Sequence, residues 1–183
     1  MNKQLAIVFP GQGSQSVGML GELAGAHPEV RATFAEASSV LDYDLWALVQ
    51  NGPEADLNQT DRTQPAMLAA GVAVWRVWSR LGGATPAFMA GHSLGEYAAH
   101  VAAGTLDFAD AVRLVRKRGG YMQDAVPVGV GAMAAILKAE RALVEEVCAA
   151  TPGVVEAVNF NAPGQIVIAG EAEAVAAASA TLE

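Results

Sequence analysis

Charge, cysteine and histidine are scarce in this chain of 183 residues, and each shortage removes a class of function. Charged residues make up 16% of the sequence against 52% hydrophobic, which excludes a disordered chain and promises a large buried core. Basic residues are the scarcer sign. The net charge of −8 argues against general binding to nucleic acid or to a membrane surface. The single cysteine, Cys148, allows no internal disulfide and fits a reducing, cytoplasmic setting. It falls among Leu143, Val144 and Val147 on an expected helix and reads as a small core residue rather than a reactive thiol. The three histidines, His27, His92 and His100, have no ligand-like spacing, so no metal is expected. Long apolar runs are missing as well. The run at residues 5–9 stops at Pro10-Gly11, too short for a signal peptide, and no stretch is long enough to span a bilayer.

What is present is organised around Phe88-Met89-Ala90-Gly91-His92-Ser93-Leu94-Gly95-Glu96-Tyr97. The apolar residues 88–90 read as a buried strand, and residues 96–103 are good helix formers. Between them lies a turn with Ser93 at its apex and a glycine two residues to either side. Such a turn holds its central residue in strained backbone geometry and projects the hydroxyl outward. The flanking glycines are required where strand and helix nearly touch. The helix N-terminus then offers free N–H groups to an oxyanion. The plain alternative is a glycine-rich turn that happens to contain a serine; the strand before and the helix after favour a nucleophile.

Taken in order, residues 5–9 form a continuous apolar run expected of a strand covered on both faces. The loop Pro10-Gly11-Gln12-Gly13-Ser14-Gln15 follows. A dinucleotide fingerprint would need glycine where Ser16 stands, and no phosphate-loop lysine is present, so the nucleotide reading is set aside. Close backbone approach to a substrate oxygen suits the loop better, with Gln12 as the donor. Residues 28–41 predict a helix with Val30, Phe34, Ala37 and Leu41 on one face, and 43–49 a short one. Residues 54–64 read as a polar connection, and a long helix is expected over 65–81, with Pro65 in its first turn and Trp75 and Trp78 as core packing. The alternation of strands and helices indicates a layered α/β fold with a mainly parallel sheet, its site at the strand C-termini.

A helix over 108–122 gathers Phe108, Ala111, Val112, Leu114, Val115 and Met122 on one side. Arg118 projects from that apolar face, whereas Arg113 and Lys117 point away and Arg116 lies near the border. A buried guanidinium requires an anion, either an internal carboxylate or one carried by a substrate. After Pro127 the pattern changes. Strands are expected at 131–137, 154–159 and 165–169, and helices at 140–150 and 171–182. This β-α-β-β-α order is a ferredoxin-like unit lacking its last strand, so the boundary is expected at 126/127, and the chain reads as a piece of a longer protein.

Together these residues resemble the malonyl-CoA:acyl carrier protein transacylases of bacterial fatty-acid synthesis. The matching motifs are Phe9-Pro10-Gly11-Gln12-Gly13-Ser14-Gln15, Thr63-Gln64-Pro65-Ala66, Gly91-His92-Ser93-Leu94-Gly95-Glu96, the Arg118 helix, and Asn159-Phe160-Asn161-Ala162-Pro163-Gly164-Gln165. The resemblance implies an α/β-hydrolase-like large subdomain over 1–126 and an incomplete ferredoxin-like small subdomain over 127–183. It implies Ser93 as nucleophile, the Gln12 and Leu94 backbone N–H groups as oxyanion donors, Arg118 as the grip on the malonyl carboxylate, and Asn161 as a site-lining residue. The implied partners are malonyl-CoA and acyl carrier protein, with no cofactor. The family's catalytic histidine lies after the small subdomain; His92, His27 and His100 do not fit that role. Two other readings compete: a serine esterase or lipase, which has little use for a cation at Arg118, and a non-catalytic module that docks a carrier protein through Arg113, Arg116 and Lys117.

Overall fold

The computed structural model describes residues 4–127 and 129–182. The chain divides into two compact units, residues 1–124 and 125–183, each with its own sheet and apolar core. The division falls two residues before the expected one. In the first unit the elements run β1 (Ala6–Phe9), α1 (Gly21–Ala26), α2 (Pro28–Leu41), α3 (Leu45–Asn51), α4 (Glu54–Leu57), α5 (Thr60–Arg80), β2 (Phe88–Gly91), α6 (Gly95–Ala102) and α7 (Phe108–Ala125).

Local chemistry explains most of these boundaries. Pro28 opens α2, which buries the expected Val30, Phe34, Ala37 and Leu41. The short helix expected at 43–49 begins at Leu45, because the Asp44 carboxylate accepts the Ala47 N–H at 2.9 Å and caps it. The expected polar connection at 54–64 is largely helical, and α5 starts five residues before Pro65. The missing proline N–H removes one intrahelical bond without ending the helix. Burial of Thr63, Gln64, Pro65 and Ala66 against the rest of the unit outweighs that loss. The helix α1 was not expected; its residues carry no clear apolar period.

Strands β1 and β2 pair in parallel, from Ala6 opposite Phe88 to Phe9 opposite Gly91. Phe9 is buried, but Val8 is 70% and Phe88 62% exposed, so the strands are not covered on both faces among the described residues. Helix α6 packs across both strands, and only the side chains on its side reach the core. Trp78 is 40% exposed and Trp75 half-buried, so the expected tryptophan core is partial. Both line an open apolar hollow of about 480 Å³ with Ile7, Phe9 and Gly71.

The approach of β1, β2 and α6 leaves no room for side chains. A Cβ on Gly91 would fall on the Gly95 carbonyl, and one on Gly95 would fall on the Phe9 carbonyl and 2.8 Å from the Pro10 oxygen. Helix α7 is held to the unit in a similar way. A Cβ on Gly119 would lie 2.6 Å from the Thr60 oxygen and 2.7 Å from the Asp61 Cα, at the start of α5. Beside this contact, Arg62 and Arg116 stack on the Tyr43 ring, 4.5 and 5.4 Å from its centre, and both lie 3.8 Å from Asp61. Burial pushes the Tyr43 hydroxyl up, with Arg116 and Arg62 opposing. Of the apolar residues expected to share the inner face of α7, Phe108, Ala111, Val112 and Val115 are buried. Leu114 and Met122 are about half exposed, at 47% and 48%. They sit at the margins of the buried stripe.

The second unit comprises β3 (Gly131–Leu137), α8 (Arg141–Ala150), β4 (Val155–Ala162), β5 (Gln165–Glu171) and α9 (Ala172–Leu182). Its antiparallel sheet has the order β3-β5-β4, with β4 and β5 joined through Pro163 and Gly164, the latter at φ +71°. Ile136, Val155, Ile166 and Ile168 meet Val144, Cys148, Val175 and Ala178 of the helices in one core. Among the described residues, no helix is long and apolar enough to cross a membrane, and no cluster of His, Cys, Asp and Glu could hold a metal.

Two measurements check this packing. Burial, reinforced by Glu156, raises the Cys148 thiol above its ordinary value, so less thiolate is present at any given pH. Alkylation of the native chain near pH 8 is therefore expected to be far slower than after denaturation; equal rates would contradict the burial. Gly95→Ala, which crowds strand backbone, is expected to destabilise the chain by about 2–4 kcal/mol in denaturant titration. A loss within about 0.5 kcal/mol would show that the approach is not tight.

Candidate active site

The crowding at Gly91 and Gly95 dictates the shape of the turn between β2 and α6. The chain must reverse within three residues, and Ser93 adopts φ +53° as a result. Left-handed backbone is uncommon for a residue with a side chain, and here it lies at the apex of a strand–turn–helix. Around it, His92 donates its N–H to the Phe9 oxygen at 3.2 Å, and Gly95 donates to the His92 oxygen at 2.9 Å. Ser93 is exposed, while Leu94 is buried at the mouth of α6, 1% accessible. Burying the leucine side chain anchors the turn from beneath.

The loop after β1 runs beside this turn. A Cβ on Gly11 would lie 2.8 Å from the His92 oxygen, so Gly11 permits the loop to pack directly against the serine turn. The loop is tied down by amide side chains. Gln12 Nε2 donates to Thr60 Oγ1 at 3.3 Å, and Gln15 Nε2 donates to Asn58 Oδ1 at 2.8 Å while its Oε1 accepts the Gly13 N–H. Neither the Gln12 nor the Leu94 backbone N–H has a hydrogen-bond partner among the described residues. Two unused donors thus lie in the serine turn itself and in the loop packed against it.

Arg118, on the fourth turn of α7, reaches the same place. Its Nη2 donates to Ser93 Oγ at 2.9 Å and its Nη1 to Gln64 Oε1 at 2.8 Å, and its guanidinium carbon lies 5.9 Å from the Tyr97 ring centre. It is half-buried rather than fully buried. No carboxylate of the described residues pairs with it; both of its close partners are neutral oxygens. The internal-carboxylate alternative therefore finds no support among the described residues. Its neighbours on α7 behave otherwise. Arg113 pairs with Asp110 at 2.7 Å, Arg116 donates to the Leu41 oxygen at 3.3 Å, and Lys117 is exposed. The expected basic face is thereby reduced, since one arginine is paired and another is held internally.

The remaining residues are placed elsewhere. Among the described residues no histidine bonds to Ser93: His27 Nδ1 meets Arg80 at 2.8 Å, and His100 Nδ1 meets Thr105 at 2.9 Å. Asn161 belongs to the second unit, exposed on β4 where the pairing with β5 shifts register between Phe160 and Ala162. The sequence reading singled out no role for Gln64. It is fully buried on α5 beside Arg118, and its place in the motif Thr63-Gln64-Pro65-Ala66 was the signal that could have marked it.

Residues 6–183 match the family model described as an acyl transferase domain. The chain is 61% identical over 179 residues to the malonyl CoA-acyl carrier protein transacylase of Escherichia coli (strain K12), covering 97% of this chain and 58% of that relative. It is 46% identical to the protein of the same name from Bacillus subtilis (strain 168), covering 96% and 56%. A solved malonyl-CoA:acyl carrier protein transacylase from Xanthomonas oryzae pv. oryzae superposes with a TM-score of 0.95 at 62% identity, over 98% of this chain and 58% of that one. A solved complex of a type II PKS acyl-carrier protein with its malonyl-transacylase gives 0.93 at 58% identity, over 96% and 58%. The chain spans a little under three-fifths, 58%, of the length of the first of these relatives. With the serine turn, the adjoining loop and the family model in agreement along the chain, it belongs to the acyl transferase domain family.

Proposed function

We propose that this chain carries the nucleophile and the acyl-recognition residues of an enzyme that moves a malonyl group from CoA to the phosphopantetheine thiol of acyl carrier protein. The observation that carries the reading is the unpaired guanidinium of Arg118, 2.9 Å from Ser93 Oγ. A cation at a nucleophile that lacks a carboxylate partner suits a substrate whose acyl group brings its own carboxylate. The names of the relatives and the solved complex with a carrier protein support the choice of donor and acceptor. In this reading the second unit is the family's ferredoxin-like subdomain, consistent with its β-α-β-β-α order, and Asn161 is assigned to the site by its motif alone.

The chemistry is a double displacement. Ser93 Oγ attacks the thioester carbon of malonyl-CoA, its proton going to the histidine that the family resemblance places after the second unit. The tetrahedral oxyanion is held by the Gln12 and Leu94 N–H groups, each worth about 2.7–4 kcal/mol if comparable to measured oxyanion donors. Collapse breaks the C–S bond, releases CoA as its thiol and leaves malonyl-Ser93. The carrier thiol then gives its proton to the histidine and attacks the ester carbon. The C–O bond to Ser93 breaks, the malonyl group leaves as the carrier thioester, and Ser93 takes the proton back from the histidine.

Arg118 supplies the selectivity. The malonyl carboxylate takes up the guanidinium N–H that Ser93 Oγ accepts in the free protein, while Gln64 keeps the other nitrogen. An acetyl group leaves the cation unpaired, at a cost of roughly 2–5 kcal/mol, or about 30- to several-thousandfold. The same residue disfavours an esterase or lipase, for which a charged cleft is a hindrance.

Intact-mass measurement on the full-length protein after addition of malonyl-CoA tests the intermediate. A malonyl adduct is expected on Ser93, absent from Ser93→Ala, discharged quickly by carrier protein and slowly by water. Discharge by water as fast as by carrier protein would favour a hydrolase. Arg118→Ala is expected to reduce malonyl transfer by at least about 30-fold while sparing or raising acetyl transfer. Equal loss for both acyl groups would make Arg118 structural.

A further inference from the structure

Three polar side chains are fully buried among the described residues: Thr33, Thr63 and Gln64. The two threonines are satisfied within their own surroundings, Thr33 Oγ1 donating to the Glu29 oxygen at 2.8 Å and Thr63 Oγ1 to the Leu57 oxygen at 2.5 Å. Gln64 directs both ends of its amide at α7. Its Oε1 accepts from Arg118 Nη1 at 2.8 Å, and its Nε2 donates to Met122 Sδ at 3.2 Å. The orientation of the amide follows from chemistry, because a guanidinium has no acceptor and can only face the oxygen. Gln64 therefore bridges two residues one turn apart on the α7 face that meets the nucleophile.

We propose that Gln64 is the positioning residue that sets the selectivity of the site: it orients Arg118 for a substrate carboxylate without consuming the positive charge. The inference rests on Arg118 being the carboxylate grip. An arginine on a helix surface has several rotatable bonds and spreads over many directions. Here one corner of the guanidinium is pinned by a buried amide oxygen, whose own position is set by α5. The opposite corner, Nη2, then lies on Ser93 Oγ, where the carboxylate of a bound acyl group must arrive. The two helices cannot separate easily, because the contact of Gly119 with Thr60 and Asp61 fixes their distance one residue from Arg118.

Residue type matters at this position. A carboxylate would hold the guanidinium equally well but neutralise it, and would compete with the substrate. An aliphatic side chain would leave the charge and lose the orientation. An amide is neutral, has a strong acceptor and has a donor left for a second tether. Met122 suits that tether because a thioether accepts weakly and yields to small shifts.

The test uses the full-length protein, with KM and kcat measured for malonyl-CoA and acetyl-CoA and the melting temperature recorded for each variant. Gln64→Glu, which preserves shape and pairs internally with Arg118, is expected to raise the malonyl-CoA KM roughly 10- to 100-fold with acetyl-CoA changed less than about threefold. Gln64→Leu is expected to raise the malonyl-CoA KM by about tenfold or less, again with little effect on acetyl-CoA. Parallel losses for both substrates, or a Gln64→Glu protein that does not fold, would overturn the proposal. Arg118→Ala separates the two ideas. If it depresses both acyl groups alike, the carboxylate-grip reading fails and takes this one with it. If it is selective for malonyl while the Gln64 variants are not, only the role given to Gln64 fails.

Discussion

The tight approach of three backbone segments, the ends of β1 and β2 and the start of α6, governs the first unit. Gly91 and Gly95 exist at this junction because a single methyl group at either would overlap a peptide unit. Given that closeness, the turn has too few residues to reverse direction in ordinary geometry, and Ser93 bears the strain at φ +53°. The same closeness brings the loop after β1 against His92. An exposed serine in left-handed backbone and two unused backbone donors are thus consequences of one steric constraint rather than three separate provisions.

A second constraint acts from the opposite side. Helix α7 can carry a cation to the serine only because Gly119 lets it lie on the first turn of α5, and because Gln64 offers a neutral oxygen to the cation. A half-buried guanidinium without a counter-charge is tolerable when its N–H groups are hydrogen-bonded, and two of its nitrogens are. Arg116, two residues away, shows the contrasting solution: stacked on Tyr43 and near Asp61, it is a structural residue. Two arginines on one helix therefore differ according to whether a carboxylate is within reach.

Much of the element order could be read directly. The apolar face of 28–41 at helical period and the glycine-bounded serine turn are local signals, and each marks an element that is present. Reading failed where a local rule was overridden by burial. Pro65 sits inside α5 instead of opening it, because the segment before it packs its threonine and glutamine inward. The apolar runs at 5–9 and 88–90 suggested a strand covered on both faces and a buried strand, but hydrophobicity records only that a face can be buried, not what lies against it.

The sequence alone determined the serine and its strained turn, since glycine spacing is a property of consecutive residues and its steric consequence is local. It also determined that Arg118 shares a helix with apolar neighbours, since helical period is local too. Only the tertiary structure decided what the guanidinium meets. Gln64, Arg118 and Ser93 lie on α5, α7 and the turn before α6, and their meeting depends on distances between elements far apart in the chain. Gln64 went without a role for that reason: a buried amide has meaning only through the partner facing it, and that partner is 54 residues away.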